Sequence, residues 1–340
     1  MNIAFVGSPV GTTLHRINAM RRLGHGVTVV TPRPNWSERR SWRTYFFQTS
    51  GFGLQAMLAA HLERQMSRLR PDLIWVNQGE YLGVKPVAVL QGSGVPVVCY
   101  VNDDPFAGGV RSRRFRSFRR ALDRYDLIAT VRDPNLDELL AAGARKVVRV
   151  RMSADEIHHA PFDVNQGSHS DLDSEVSFIG TWFSERGPFL RELVKSGVPL
   201  SIWGANWEKA PEWTDLRPYF RGHALDPDKG YREAIARSKI SLGLLSKENR
   251  DTHTTRSIEI PAIGGLLCAE RTDEHLAMYK EGVEAIFWDN AAECARQCLA
   301  LLRDDPAREA IRLAGQQRAL SSGFLNEAVI ASILAAVPPA

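Results

Sequence analysis

Short apolar runs, each bounded by Gly, Pro or a polar turn and each followed by a stretch of helical periodicity, recur along the chain from its second residue. NIAFVG (2–7), GVTVVT (26–31), DLIWVN (72–77), VPVVCYV (95–101), DLIAT (126–130) and KVVRV (146–150) are too short for helices and too continuously apolar for strands with one wet face. Between them, residues 12–23 set Leu14, Ile17, Met20 and Leu23 on one helical side. A long helix is expected over about 52–69, and another from Asp133. Buried strands alternating with amphipathic helices require a parallel sheet covered on both faces.

The pattern pauses at 153–174, SADEIHHAPFDVNQGSHSDLDS, which lacks apolar periodicity and reads as a connection between domains. It restarts with EVSFIG (175–180), a helix over 187–196, PLSIWG (199–204) and a loop-rich stretch over 205–226. A helix over 228–237, KISLGLL (239–245), a helix over 255–262, GLLCAE (265–270) and a helical tail from 290 follow. The expected fold is α/β, with two Rossmann-like doubly wound domains facing a cleft. The boundaries are 1–155, a linker over 156–174, 175–321, and a C-terminal helix within 322–340 able to pack back on the first domain. A length of 340 residues suits two cores. Ligands of such sheets bind outside the carboxyl ends of the strands, which is where the expected cleft lies.

Composition narrows the class. With 44% hydrophobic and 24% charged residues the chain is globular, not disordered. No apolar run reaches the roughly 20 residues a bilayer span needs. The start, MNIAFVGSPVG, has no basic leader, so no signal peptide is expected. Cys99, Cys268, Cys294 and Cys298 form no paired framework, which fits a cytoplasmic protein. Cys294 and Cys298 have helical i, i+4 spacing, but without flanking His or Cys they read as core. His158 and His159 read as exposed linker residues. The net charge is +4, yet Arg111 to Arg124 reads RSRRFRSFRRALDR, with a single acid. That stretch is either a solvated helix face, a peripheral contact with the inner face of a membrane, or a contact for an anionic acceptor. Nucleic acid is not favoured, because aromatic and Lys interleaving is missing elsewhere.

Two doubly wound domains could hold NAD. However, the first turn, Gly7-Ser8-Pro9-Val10-Gly11, is not G-x-G-x-x-G, and no acid ends the second strand. A P-loop lysine and a nucleophile elbow are also missing. The informative stretch is NRDTHTTRSIEIPAIGG (249–265), which follows a buried strand and opens a helix near Thr254–Ser257. A helix N-terminus at Thr254 and Thr255 offers free N–H groups to a diphosphate. Arg256 adds a guanidinium able to grip phosphate oxygens twice. Glu259, one turn in, could accept hydrogen bonds from ribose hydroxyls, or could be a surface acid on an ordinary capped helix.

These residues resemble the donor half of GT-B glycosyltransferases, in particular the CgeB-like, Glyco_trans_1_2 branch (glycosyltransferase family 4-like). The resemblance rests on Arg256-Ser257-Ile258-Glu259, Ala262-Ile263-Gly264-Gly265, Gly282-Val283-Glu284 with Phe287, and Arg308, Arg312 and Arg318 on a late helix. Phe178-Ile179-Gly180-Thr181 with Glu185-Arg186 matches the start of that half. The likeness is good over 175–320 and loose over 1–150. It implies a nucleotide-diphosphate sugar as donor and no cofactor or metal. Gly180 and Arg186 would then face the donor phosphates, and Gly222 and His223 would sit in the loop that reads the nucleobase. Retaining members often carry two glutamates eight positions apart; here the second is Glu259 and the first position is Asp251. Asp251 either touches the donor sugar or caps the helix, and His253 nearby is a further candidate for a donor contact.

In the first domain, Gly7 and Gly11 form a small-residue acceptor loop. His15 follows it, facing the cleft or capping the turn. Asn102-Asp103-Asp104-Pro105 ends a strand but lacks the D-x-D spacing of metal-dependent transferases. Asp103, Asp104 and Glu80 are candidate general bases for an acceptor hydroxyl, set against turn-forming or surface roles. The leading expectation is therefore a metal-independent glycosyltransferase with an unidentified acceptor. A GT-B-type nucleotide-sugar epimerase and a non-catalytic nucleotide-sugar-binding module are the alternatives.

Overall fold

The structure is a computed structural model that describes all residues except 110, 165–169, 224, 227–229 and 339–340. Part of the expected linker (165–169) and Ala224 of the expected nucleobase loop thus lie outside the described residues. The chain forms two compact units. The first holds Met1–Met152, Glu248–Arg250 and the segment from Asn326; the second holds Ser153–Lys247 and Asp251–Leu325.

In the first unit six parallel strands are built from the apolar runs: β1 (Asn2–Val6), β2 (Gly26–Val30), β3 (Leu73–Asn77), β4 (Val97–Val101), β5 (Leu127–Thr130) and β6 (Val147–Arg149). Their order is β2-β1-β3-β4-β5-β6. The chain leaves β1 in one direction for β2 and returns on the other side for β3, so a topological switch point lies between β1 and β3. Helix Asn326–Ala335 packs on helix Thr12–Arg22, where Arg22 pairs with Glu327 at 2.5 Å.

The second unit repeats the plan with β7 (Ser174–Ile179), β8 (Leu200–Trp203), β9 (Phe220–Gly222), β10 (Ser238–Gly243), β11 (Leu267–Glu270) and β12 (Ile286–Trp288). Their order is β12-β11-β10-β7-β8-β9, again parallel, with the switch point between β7 and β10. Strands whose neighbours bury them on both faces account for the near-continuous apolar runs.

Three local readings change. The helix expected over 52–69 is Gln55–Met66, and a further helix, Arg40–Thr49, precedes it where none was expected; Ser50, Gly51 and Gly53 take positive φ and separate the two. The loop-rich 205–226 contains β9, and β12 with helix Asp273–Met278 lies where no element was expected. Three-residue strands are too short to show a period. Cys268 on β11 joins Cys294 and Cys298, with Sγ separations of 3.7 and 4.0 Å, inside the second core. Burial pushes the Cys268 thiol up and keeps it protonated, so it packs as a small hydrophobe.

Candidate active site

In the second unit the site grows from the turn between β10 and helix Arg256–Ile263. The Thr254 amide donates to Ser257 Oγ (3.0 Å), and Ser257 Oγ lies 2.8 Å from His275 Nε2. His275 Nδ1 is 2.6 Å from the Glu270 carbonyl, which can only accept; Nδ1 therefore carries the proton and Nε2 accepts from Ser257. Burial lowers the His275 pKa, keeping the ring neutral and this tautomer in place. The chain of bonds fixes the first turn. The amides of Thr255 and Arg256 have no acceptor among the described residues, and the buried Thr254 hydroxyl has no partner there either. A helix start with open amides is suited to an anion.

Arg256 Nε donates to the Ile179 carbonyl at the end of β7 (2.7 Å), and its two terminal nitrogens make no bond among the described residues. One guanidinium edge is anchored and the other is offered. Glu259 is buried, 5% exposed, and is not the surface acid of the alternative reading. Its Oε2 accepts from Tyr231 Oη (2.6 Å), and Oε1 lies 3.6 Å from His159 Nε2. His159 Nδ1 accepts from the Asp155 amide at 2.8 Å, so its proton is on Nε2, toward Glu259. A carboxylate has about four acceptor positions, so two donors leave room for two more. His159 is thus an inward residue, not an exposed linker histidine, because Asp155 and Glu259 supply its partners.

Arg186 also departs from expectation. Its guanidinium donates to the carbonyls of Thr181 (2.8 Å), Leu244 (3.2 Å) and Leu245 (3.5 Å), and it lies over the Phe183 ring at 4.2 Å. It ties the loops after β7 and β10 together across the switch point and is 5% exposed. Its bonds go to carbonyls where a phosphate contact was expected. A Cβ on Gly204, where φ is 142°, would come within 2.0 Å of the Gly180 carbonyl oxygen, so the loops after β7 and β8 close together only through glycine. The Gly222 carbonyl accepts from the Gly204 amide (2.9 Å), and His223 is exposed, edge-on to Phe220 at 5.4 Å. Asp251 caps backward: its amide donates to Ser246 O (3.1 Å) and its carboxylate accepts from Ser246 N (3.3 Å). His253 is buried.

In the first unit a cavity of about 220 Å³ opens at the β1/β3 switch point, lined by Gly7, Ser8, Thr13, Arg33, Gln78, Glu80 and Tyr81 among others. A larger hollow, about 620 Å³, lies near Glu63, Arg70 and Ser93 at the opposite end of the strands, away from the carboxyl ends. Gly7 fits where a Cβ would press on the Phe5 ring at 2.8 Å, and Gly11, with φ 51°, turns the chain into helix Thr12–Arg22. His15 is buried on that helix. Burial holds the Glu80 carboxyl above its ordinary range, against the opposing pull of Arg114, 3.6 Å away.

Asp103 pairs with Arg114 and accepts from Gln78 Nε2 (3.2 Å) and Asn249 Nδ2 (3.3 Å). Gln78, a non-glycine residue with φ 71°, also receives the Asn102 and Asp103 amides, locking the loops after β3 and β4. Asp104 is corrected from a candidate base to a structural acid. It is 2% exposed, and its carboxylate accepts from the Phe106 and Ala107 amides (2.8 and 2.9 Å), from Asn135 (2.9 Å) and from Arg250. Sequence reasoning missed Tyr231, His159, Ser257, His275 and Gln78. The Gln78-Gly79 pair, both with positive φ, was the one legible signal, as a tight turn before Glu80.

Residues 12–151 match the family model described as Glycosyltransferase Family 4, and residues 186–335 match the one described as Glycosyl transferase-like. No curated protein matches the chain in sequence. Among solved structures, Anabaena Alr3699/HepE in complex with UDP and glucose is 17% identical, with a TM-score of 0.65 over 98% of this chain and 99% of that one. Sucrose-phosphate synthase from Thermosynechococcus elongatus is 11% identical, with a TM-score of 0.69 over 98% and 97%. A glycosyltransferase from Rickettsia africae is 11% identical, with a TM-score of 0.63 over 98% and 97%. Two six-stranded parallel sheets in this order, and family matches that between them take in most of both units, place the chain among the glycosyltransferases of the GT-B fold.

Proposed function

We propose that this glycosyltransferase moves a sugar from a nucleoside-diphosphate sugar, bound by the second unit, to an acceptor hydroxyl bound in the pocket of the first, without a divalent metal. The observation that carries the donor assignment is the offered edge of Arg256, anchored on Ile179 beside the open amides of Thr255 and Arg256. Diphosphate oxygens meet both, and Glu259 accepts from the ribose hydroxyls one turn further on. The HepE structures, which hold UDP, UDP with glucose and UDP-glucose, support a donor of this class. In the reaction the acceptor oxygen bonds to the anomeric carbon as the bond from that carbon to the diphosphate breaks. The diphosphate leaves with the bonding electrons, and the acceptor proton passes to Glu80. Arg256 and the helix start stabilise the departing charge.

Incubation with a panel of nucleotide sugars tests this. Slow hydrolysis to free sugar and nucleoside diphosphate is expected; epimer formation, or binding without turnover, would overturn it. Replacing Arg256 with alanine should weaken nucleoside diphosphate binding roughly ten- to a hundredfold, since charge-assisted hydrogen bonds contribute about 1.5–3 kcal/mol each. Arg256→Lys should recover only part of that, because an ammonium lacks the planar fork. Calorimetry on folded variants checks both, and unchanged affinity in Arg256→Ala would sink the assignment.

Metal independence is a separate expectation. Among the described residues, the grouping of potential ligands is Cys268, Cys294 and Cys298, set in the core between β11 and helix Ala291–Leu301. Turnover should be unchanged by EDTA. Loss restored by Mg²⁺ or Mn²⁺ would refute it.

A further inference from the structure

We propose that residues 35–53 of the first unit form a docking surface for an anionic phospholipid bilayer. This stretch carries large aromatic side chains on its outside. Trp36 is 41% exposed, Trp42 36% and Phe52 58%. They form a connected set: the Trp36 and Trp42 rings are 4.9 Å apart, Trp42 and Tyr45 are 5.8 Å apart, and the Tyr45 hydroxyl donates to the Phe52 carbonyl. The exposure does not come from a loosely held segment. Phe46 is fully buried and packs on Tyr81 at 5.4 Å, and Ser50 Oγ bonds the carbonyls of Glu80 (2.7 Å) and Arg114 (2.6 Å). A buried anchor on one side of helix Arg40–Thr49 and a polar clamp at its end hold the tryptophans outward.

Charge selects the occupant. Arg39, Arg40 and Arg43 are exposed and make no ion pair among the described residues. The acid of the stretch, Glu38, is taken up by Arg33 at 2.8 Å. The turn Arg111–Phe115 packs against the same helix and adds exposed Arg113, with exposed Arg116 just beyond. Arg114 is turned inward to Asp103 and does not belong to the surface. Tryptophan prefers the headgroup level of a bilayer, where its ring is half wet. Arginine grips lipid phosphates while its stem lies along apolar surface. A charged face with interleaved Trp and Phe matches that interface, and no helix among the described residues is long and apolar enough to cross it.

Flotation of the full chain with vesicles of phosphatidylcholine alone, or of an equal mixture with phosphatidylglycerol, tests this. Binding is expected to the mixture only, weakening as salt shortens the Debye length below about 8 Å. An arginine near an anionic surface contributes about fivefold, so Arg40→Ser with Arg43→Ser should lower partitioning roughly twenty-fivefold. Trp36→Ser with Trp42→Ser should also weaken binding but leave its salt dependence. Both variants spare Phe46 and Ser50, so an unchanged thermal transition shows that they are folded. No flotation with the mixture, or equal flotation of wild type and both variants, would overturn the proposal. So would capture of a single-stranded oligonucleotide, or a dimer abolished by the tryptophan pair, in a protein that ignores vesicles.

Discussion

Glu80→Gln is expected to lower kcat by roughly a hundred- to ten-thousandfold, the usual contribution of a positioned general base, while leaving nucleotide affinity unchanged. Glu80 lines the pocket at the β1/β3 switch point, and burial raises its pKa toward the range in which a base works best near neutral pH. The sign of the pH dependence follows. A base acts when deprotonated, so wild-type turnover should fall as pH drops through this raised value, at a higher pH than for an ordinary glutamate. That acid limb should vanish in the variant. Unfolding would not explain the loss. A folded pKa above the unfolded one means that the group's stabilising contribution is present at low pH and lost as pH rises through the folded value. Removing its charge therefore leaves the fold at least as stable at neutral pH. Arg114 keeps its partner Asp103. A variant with wild-type kcat would assign the proton to the departing diphosphate instead.

Asp104→Ala should destabilise the first unit by about 3 kcal/mol, because each buried donor left unsatisfied costs about 1–3 kcal/mol, whereas Arg250, 38% exposed, keeps water and Glu138 as partners. The carboxylate is 2% exposed and accepts from two backbone amides, Asn135 and Arg250, so its loss leaves several donors unmet. Burial alone would raise its pKa, but the bonds from Arg250, Asn135 and the Phe106 amide outweigh this and hold it below the ordinary range. Arg250 likewise lowers Glu138, which it grips with both terminal nitrogens at 2.9 and 2.7 Å. For depressed carboxylates, the stabilisation is present above the unfolded value, about 3.9 for Asp, and is lost as pH falls through the folded one. Thermal melts from neutral to acid pH should show this loss in the wild type and a flatter course in Asp104→Ala. Coincident melting curves would show that the network contributes nothing.

Particular residues show why some of the site was legible and some was not. Arg256 and Glu259 could be placed on one helix because both lie within four residues of its start, where spacing alone sets direction. Arg186 stands at an equally suggestive position, yet its partners are carbonyls of Leu244 and Leu245, nearly sixty positions away. Asp103 and Asp104 are adjacent and chemically alike, but one is partly open beside Arg114 and the other is enclosed by Asn135 and Arg250. Neighbouring residues on a turn point in different directions, and only the packing around them settles which is sheltered.

The sequence by itself determined the class of fold. A parallel sheet buried on both faces needs continuous apolar strands, and amphipathic helices between them leave no other economical arrangement. It also determined where helix Arg256–Ile263 begins, since a helix start is a local event. Tertiary structure decided strand order, and with it the two switch points, because nothing local tells β3 to pair with β1 and not with β2. It brought His159 and Tyr231 to Glu259, and Cys268 to Cys294 and Cys298. Hydrogen bonds and thiol contacts act over a few ångströms, so their partners are chosen by proximity in space, which residue spacing along the chain does not encode.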